Sequence, residues 1–301
     1  MPSVSEILKN KAEQKQQRVE SNRAEREWLS TTRNEMLVSV TQIPEQYEKF
    51  LVLQADNIGC SAGNVALAQL QMAEPTKIGT ADYWREQGRY VIDSEMQKGA
   101  KVFVPPRNPQ QRGYFMGSYY DVSQTAGKPM REPQPLTEGS ERMDAAFAAL
   151  LDASPVPYVQ NDKLETAARY NERECVIEIN GAKSASEVFA ALATEIVYAR
   201  DHDRGRNRDY DRADLQLNAE SVGFMVCRRF GVDCPMPDAE KAPAYYGYYD
   251  PEDRGKELDA LRQTAKGMGD TVERGITPRQ QERGNNRGYH HGGNRRQYGG
   301  R

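Results

Sequence analysis

Apolar residues in this chain recur in short runs whose period changes along its length. After Pro44, Tyr47, Phe50, Leu51 and Leu53 fall at helical spacing, so Pro44 opens a helix with one buried face. A small-residue turn, Cys60 to Gly63, leads to a second helix from Asn64, where Val65, Leu67, Ala68, Leu70 and Met72 supply the apolar face. Asn64 itself reads as the N-cap. A short helix, ADYWREQG, stops at Gly88. Two strands are predicted next, Lys101 to Val104, halted by Pro105 and Pro106, and Gly113 to Tyr120, with NPQQRG as the turn between them.

Residues 126–140 are rich in Pro, Gly and charge and read as a linker. A helix follows from Glu141 to Leu151. In ECVIEIN, Cys175, Ile177 and Ile179 alternate with Val176 and Glu178, which predicts a strand. Ser184 and Glu187 have capping-box spacing and open the helix SASEVFAALATEIVYAR. The polar DHDRGRNRDYDR reads as a loop, ADLQLNAESVGFMVCRRFG as a helix ending before Gly231, and Pro251 to about Gly269 as one more helix. The prediction is an α+β protein with a charged helical arm over 1–40, a block over 41–130, a linker over 131–140, a second block over 141–272 and an Arg/Gly-rich tail over 273–301.

Composition changes this picture at the two ends. Over 1–36, Lys, Glu, Gln and Arg dominate; the composition favours helix, and no hydrophobic heptad supports a coiled coil. Past Arg274 the Gly, Arg, Asn, Gln and Tyr composition cannot bury enough apolar surface to fold alone. Residues 271–301 hold seven Arg and two Glu, a net +5, so the remainder carries −8 of the total −3. That split argues against a uniformly basic nucleic-acid binder and leaves room for a local basic groove or a tethering tail. Mean hydropathy is −0.84, no apolar run reaches membrane-spanning length, and the first residues lack the apolar stretch of a secretory signal, so a cytoplasmic protein away from membranes is expected. Four scattered cysteines form no CxxC pair, which argues against a cysteine zinc site; Cys175 and Cys227, inside apolar stretches, read as reduced core thiols.

The candidate chemistry lies in the second block. Zinc peptidases of the gluzincin type place His-Glu-x-x-His on a helix, because residues four apart share a face and both imidazoles reach one ion. Here Glu195 stands where the general base belongs, Thr194 and Tyr198 stand at the two histidine positions, and Glu220 on the next helix stands where a third ligand would be. Thr and Tyr are poor zinc ligands, so no metal, cofactor or catalytic residue is expected. Three alternatives stay open: a weak hard-cation site on Glu195 and Glu220, a hydrolase that also uses His202 one turn on, and an ordinary helix residue at Glu195. His202 itself reads as a solvated loop residue, and His290 and His291 lie in the tail.

The chain resembles the ArdC-type antirestriction proteins of plasmids and integrative elements over about residues 43–270. The similarity rests on YEKFLVLQ (47–54), SAGNVAL (61–67), YWREQGRYV (83–91), KGAKVFVP (98–105) and YYDVSQT (119–125), in that order, and then on LATEIVYA, NAESVGFMVCRRFGVD and YYGYYD (245–250). The resemblance implies an N-terminal single-stranded-DNA-binding domain joined to a zincin-like metallopeptidase domain related to the ImmA/IrrE group. The absent histidines imply that the peptidase part is inactive.

Single strands are held by base stacking on aromatics and by a basic track along the phosphates. The expected nucleic-acid contacts are Trp84, Arg85, Arg89, Lys98, Lys101, Phe115 and Tyr119, with Tyr83, Tyr114, Tyr120 and Arg112 nearby. The competing expectation for Trp84 and Phe115 is a place in the core. The Arg-Gly and Gly-Tyr steps of the tail resemble segments that bind nucleic acid nonspecifically, or simply solubilise. Single-stranded DNA is the expected partner. A protein partner for the charged arm is the remaining alternative.

Overall fold

The computed structural model describes residues 3–106, 108, 110–130 and 133–277. The tail beyond Thr277, with His290 and His291, lies outside the described residues. The fold is α+β.

Helix α1 (Val4–Gln42) runs unbroken through the expected arm boundary and is opened by a Ser3/Glu6 capping box. Its first six turns are exposed, whereas Leu29, Leu37 and Val40 are buried, so its second half belongs to the core. Helix α2 (Pro44–Asp56) has proline in its first turn, as expected. Helix α3 (Ala62–Gln71) is preceded by Ser61 as N-cap residue, not Asn64. Then follow β1 (Ile78–Gly79), α4 (Ala81–Glu86), β2 (Arg89–Val91), β3 (Ala100–Val104), β4 (Phe115–Asp121) and β5 (Thr125–Gly127). Strand β4 is central in the order β1-β4-β3, antiparallel to both neighbours, and β2 pairs with β5.

Strand β3 is an edge, and an unpaired strand edge must find partners for its main-chain groups. Two side-chain amides seven residues apart on α3 provide them. Asn64 accepts from Phe103 N–H at 3.1 Å and donates to Phe103 C=O at 2.7 Å. Gln71 does the same for Lys101, at 2.8 and 3.0 Å. The role expected for Asn64 is thereby corrected: it is a buried sheet-edge partner.

Asp121 ends β4. Its carboxylate accepts from Thr76 N–H at 2.7 Å, Lys77 N–H at 3.1 Å and Ser123 N–H at 2.8 Å, while Gln124 returns a bond to Asp121 N–H. Burial pushes this carboxyl up, but the bonds from Ser123, Thr76 and Lys77 outweigh it and hold the group below the usual aspartate value.

The second half contains α5 (Glu141–Asp152), β6 (Tyr158–Gln160), β7 (Ala168–Asn171), β8 (Val176–Ile179), α6 (Ala185–His202), α7 (Arg212–Phe230), α8 (Ala242–Tyr246) and α9 (Pro251–Ile276). Strand β8 lies between parallel β6 and antiparallel β7. Ile177 and Ile179 point inward as predicted; Cys175 instead sits in the preceding turn at φ +50°. The Ser184/Glu187 box opens α6, and Gly231 at φ +64° closes α7, both as the sequence predicts. The expected linker is partly packed: Leu136 is buried, and its N–H donates to Phe230 C=O.

Two apolar clusters share α7. One unites Met143 of α5, Tyr170 of β7, Ile196 of α6, Val226 of α7 and Met268 of α9. The other unites Leu37, Phe50, Leu67 and Val102 of the first half with Leu217 and Phe224 of α7, Tyr246 and Leu258. Between them Tyr47 Oη and Ser221 Oγ, both buried, lie 2.9 Å apart. The two expected blocks therefore do not have separate cores. Among the described residues no helix is long and apolar enough to cross a membrane.

Helices α6 and α7 are in close contact at Gly223, where a Cβ would meet Thr194 Oγ1 at 2.2 Å and Thr194 Cβ at 3.4 Å. Turning the hydroxyl away would move it to its other rotamer and give up its bond to Ala190 C=O. Gly223→Ala is expected to cost about 1–3 kcal/mol despite the better helix propensity of alanine. In the Thr194→Ala background the same change becomes neutral or stabilising, a reversal of sign that urea unfolding of the four chains reads directly. For Asp121, a depressed folded pKa adds stability above the unfolded value near 3.9, which is lost as pH falls through the folded value. Asp121→Asn is thus less stable than the parent at pH 7, and the gap between their urea midpoints narrows below about pH 4.

Candidate functional site

Loop residues 203–211 return the chain from α6 to α7. Asp211 caps α7, accepting from Ala213 and Asp214 N–H at 2.7 and 3.2 Å, and so fixes Arg212 as the first helical residue. From there the guanidinium reaches the face of α6 that carries Glu195 and Tyr198. Arg212 Nη2 donates to both carboxylate oxygens of Glu195, at 2.6 and 2.9 Å, and its Cζ lies 3.8 Å from the centroid of the Tyr198 ring. Glu195 is buried, and its Oε2 also accepts Tyr170 N–H of β7 at 2.7 Å. One carboxylate thus joins α6, α7 and the sheet.

The other positions of the constellation are occupied too. Thr194 packs on Gly223 and directs its hydroxyl to Ala190 C=O. Tyr198 is buried, which pushes its phenol up to about 12 despite the opposing Arg212 charge, so it stays protonated near neutral pH. Glu220 accepts from Gln216 Nε2 at 2.6 Å, and Gln216 Oε1 in turn accepts from Lys241 at 2.7 Å. His202 is the last residue of α6 and half-buried, not a solvated loop residue. Its Nδ1 is 2.6 Å from Tyr170 Oη, and its ring lies 4.8 Å from that of Tyr210.

This donor set does not fit a zinc ion. The hydroxyl and the phenol are protonated, and the carboxylate of the general-base position is engaged by a resident cation. Among the described residues no group of three or more His, Cys, Asp and Glu side chains is placed to hold a metal.

The nucleic-acid residues expected from sequence separate into two groups. Trp84 is fully buried, and its indole N–H donates to Tyr120 C=O at 2.9 Å, so it has no ring face to offer a base. Tyr119 is buried as well, with its hydroxyl 3.3 Å from Asn64 Nδ2; sharing a strand face with Phe115 is not enough, because α3 covers the Tyr119 end of that face. The Arg89 guanidinium is spent on the fold, donating to Thr125 Oγ1 and to the carbonyls of Thr125 and Lys128. These three are corrected from contact residues to structural ones. Phe115 is 48% exposed and Tyr114 61% exposed, at the end of β4 nearest the hairpin turn, beside exposed Arg112. Arg85, Lys98 and Lys101 are also exposed, in pairs with Asp82, Glu95 and Glu25 at 2.8, 2.7 and 3.7 Å. Exposed pairs of this kind contribute little to stability and exchange partners readily.

Sequence reasoning missed two cations. Arg26 and Arg33 of α1 lie 5.9 and 5.6 Å from the Phe103 ring centroid, and Trp28 between them is half-exposed. Their spacing of seven residues was the available signal, since it puts both on one helical face.

Among the solved structures to which the chain is similar are two crystal structures of the antirestriction ArdC protein from plasmid R388. The metal-free form is 21% identical, covering 71% of this chain and 84% of that one at a TM-score of 0.44. The Mn(II)-bound form is 22% identical, covering 72% and 85%, also at 0.44. No protein-family model matches the chain, and no curated protein matches it.

Arg212→Met leaves the Glu195 carboxylate with one main-chain donor in a buried position and is expected to cost about 2–3 kcal/mol in urea unfolding. Glu195→Gln with Arg212→Met recovers more than half of that loss, because the neutral amide still accepts Tyr170 N–H. Additive costs in the double mutant would show that the two side chains act separately.

Proposed function

We propose that this chain binds single-stranded DNA in an antirestriction-like role, and that its peptidase-like helix pair is an inactive scaffold. The observation that carries the reading is the outward presentation of Tyr114 and Phe115 on the β3–β4 hairpin, next to Arg112. Large aromatics are normally buried, and two adjacent exposed ones are stacking surface for bases. Arg85, Lys98 and Lys101 supply positive charge on the same half of the molecule, as does Arg26 over Phe103. The sequence motifs at 47–125 and their resemblance to antirestriction proteins support the same reading. Binding of this kind shields incoming single strands by covering bases and phosphates together.

The hydrolase alternative has no favourable observation. A general base must be free to take a proton from water, and the carboxylate of Glu195 is held by Arg212 and Tyr170 N–H.

A labelled oligo-dT titrated by fluorescence anisotropy tests the proposal. We expect binding that weakens with added salt. Tyr114→Ala with Phe115→Ala should weaken it about tenfold or more, from the loss of one to two stacked bases. Trp84 is not a suitable control, since its loss disturbs the core; Tyr158→Ala, an exposed tyrosine on β6, should leave affinity unchanged. The reading fails if the hairpin substitutions have no effect, or if removal of residues 278–301 alone abolishes binding.

A further inference from the structure

A cleft of about 720 Å³ opens between the start of α7, the α8–α9 turn and the first turn of α9. Its chemistry has two halves. Tyr245, Tyr248 and Tyr249 form one wall: Tyr245 and Tyr249 are stacked at 5.8 Å and 26°, and Tyr248 is 98% exposed. Five aspartates also line the cleft, and among the described residues no Lys, Arg or His does.

Three of these aspartates are already engaged. Asp211 caps α7, Asp201 accepts from Asn207, and Asp253 pairs with Lys256 at 2.6 Å. Asp209 and Asp214 also line the cleft, and their carboxylates have no hydrogen-bond or ion-pair partner among the described residues.

Carboxylates beside open aromatic faces suit a guanidinium, which is planar, stacks on a ring and presents a fork of donors to an acid. The protein already uses this arrangement internally, where Arg212 lies on Tyr198 and pairs with Glu195. A compact ammonium uses the ring faces less well, and an anion is repelled.

We propose that the occupant is this chain's own segment 278–301. It holds six Arg and one Glu, a net +5, against −8 for residues 1–277. The segment begins where α9 ends, and the cleft lies at the other end of α9, beside Asp253. The helix has 26 residues and so is about 39 Å long at 1.5 Å per residue. The 24 residues of the segment reach up to about 80 Å when extended, enough to return along α9. Tethering supplies an effective concentration on the order of millimolar, so a weak individual contact suffices. The proposal goes beyond the DNA-binding reading and does not rest on it.

The test uses a labelled peptide of residues 278–301. The chain ending at Thr277 keeps every described element, and matching circular dichroism and urea midpoints of the shortened and the whole chain establish its fold before the titration. The shortened chain should bind the peptide saturably. Asp209→Asn with Asp214→Asn, at two exposed and unpaired positions, should weaken binding about tenfold, the scale of two lost charge-assisted contacts. A peptide with its arginines changed to glutamine should not bind. The whole chain should bind the added peptide at least about tenfold more weakly than the shortened one, because its own segment competes at millimolar effective concentration. The proposal is overturned if the peptide does not bind, or if the aspartate substitutions leave its affinity unchanged. Undiminished binding to the whole chain overturns it as well, and assigns the cleft to an arginine-bearing partner in trans. Competition that grows with whole-chain concentration, with dimers in gel filtration, overturns the intramolecular form in favour of a second copy.

Discussion

Helix α7 must be buried on two opposite sides at once, and most of the structure follows from that demand. One side, through Val222 and Val226, completes the cluster built on α6 and the β6–β8–β7 sheet. The other side, through Leu217 and Phe224, completes the cluster built on α1, α2 and α3. From Leu217 to Cys227 every residue except Glu220 is buried, as befits a helix packed in the interior. Its polar residues therefore call for internal partners: Ser221 faces Tyr47, and Asn218 Nδ2 donates to Tyr245, while Asn218 Oδ1 is left without one among the described residues. Glycine at 223 lets α6 approach closely enough for the packing to close on Thr194.

The same closeness decides the chemistry of the helix pair. With α6 and α7 in contact, the first residue of α7 arrives beside the second half of α6, and that residue is an arginine. Its charge neutralises Glu195, its plane covers Tyr198, and the carboxylate holds Tyr170 N–H. A buried carboxylate without such partners would protonate or destabilise the fold. Glu195 is therefore a cross-link between three elements.

What the sequence made legible was local. Capping of α6 by Ser184 and Glu187, closure of α7 by Gly231 and the proline start of α2 depend on residues within a turn of each other, so they could be read directly. The partnership of Arg212 with Glu195 was not legible, because a loop of undetermined path separates them by 17 residues. Arg89 and Trp84 were misjudged by the same cause: their partners, Thr125 and Tyr120, lie 36 residues away. Asn64 has the composition of a cap, and only the tertiary placement of β3 showed that its amide serves a strand. Strands β6 and β7 escaped because β6 is exposed at every position and β7, Ala-Arg-Tyr-Asn, has no β-branched residue, unlike β8 of the same length. The buried half of α1 escaped because its apolar residues are diluted by charge.

The two amides that α3 lends to β3 also govern how molecules of this protein meet one another. A bare strand edge is sticky in a directional way, since any extended peptide can zip onto it and be followed by another. Asn64 and Gln71 occupy that edge with side chains, which cannot propagate a ladder. The hairpin can thus hold aromatic rings out in water at its tip while its β3 flank offers no bare main-chain edge to another extended peptide.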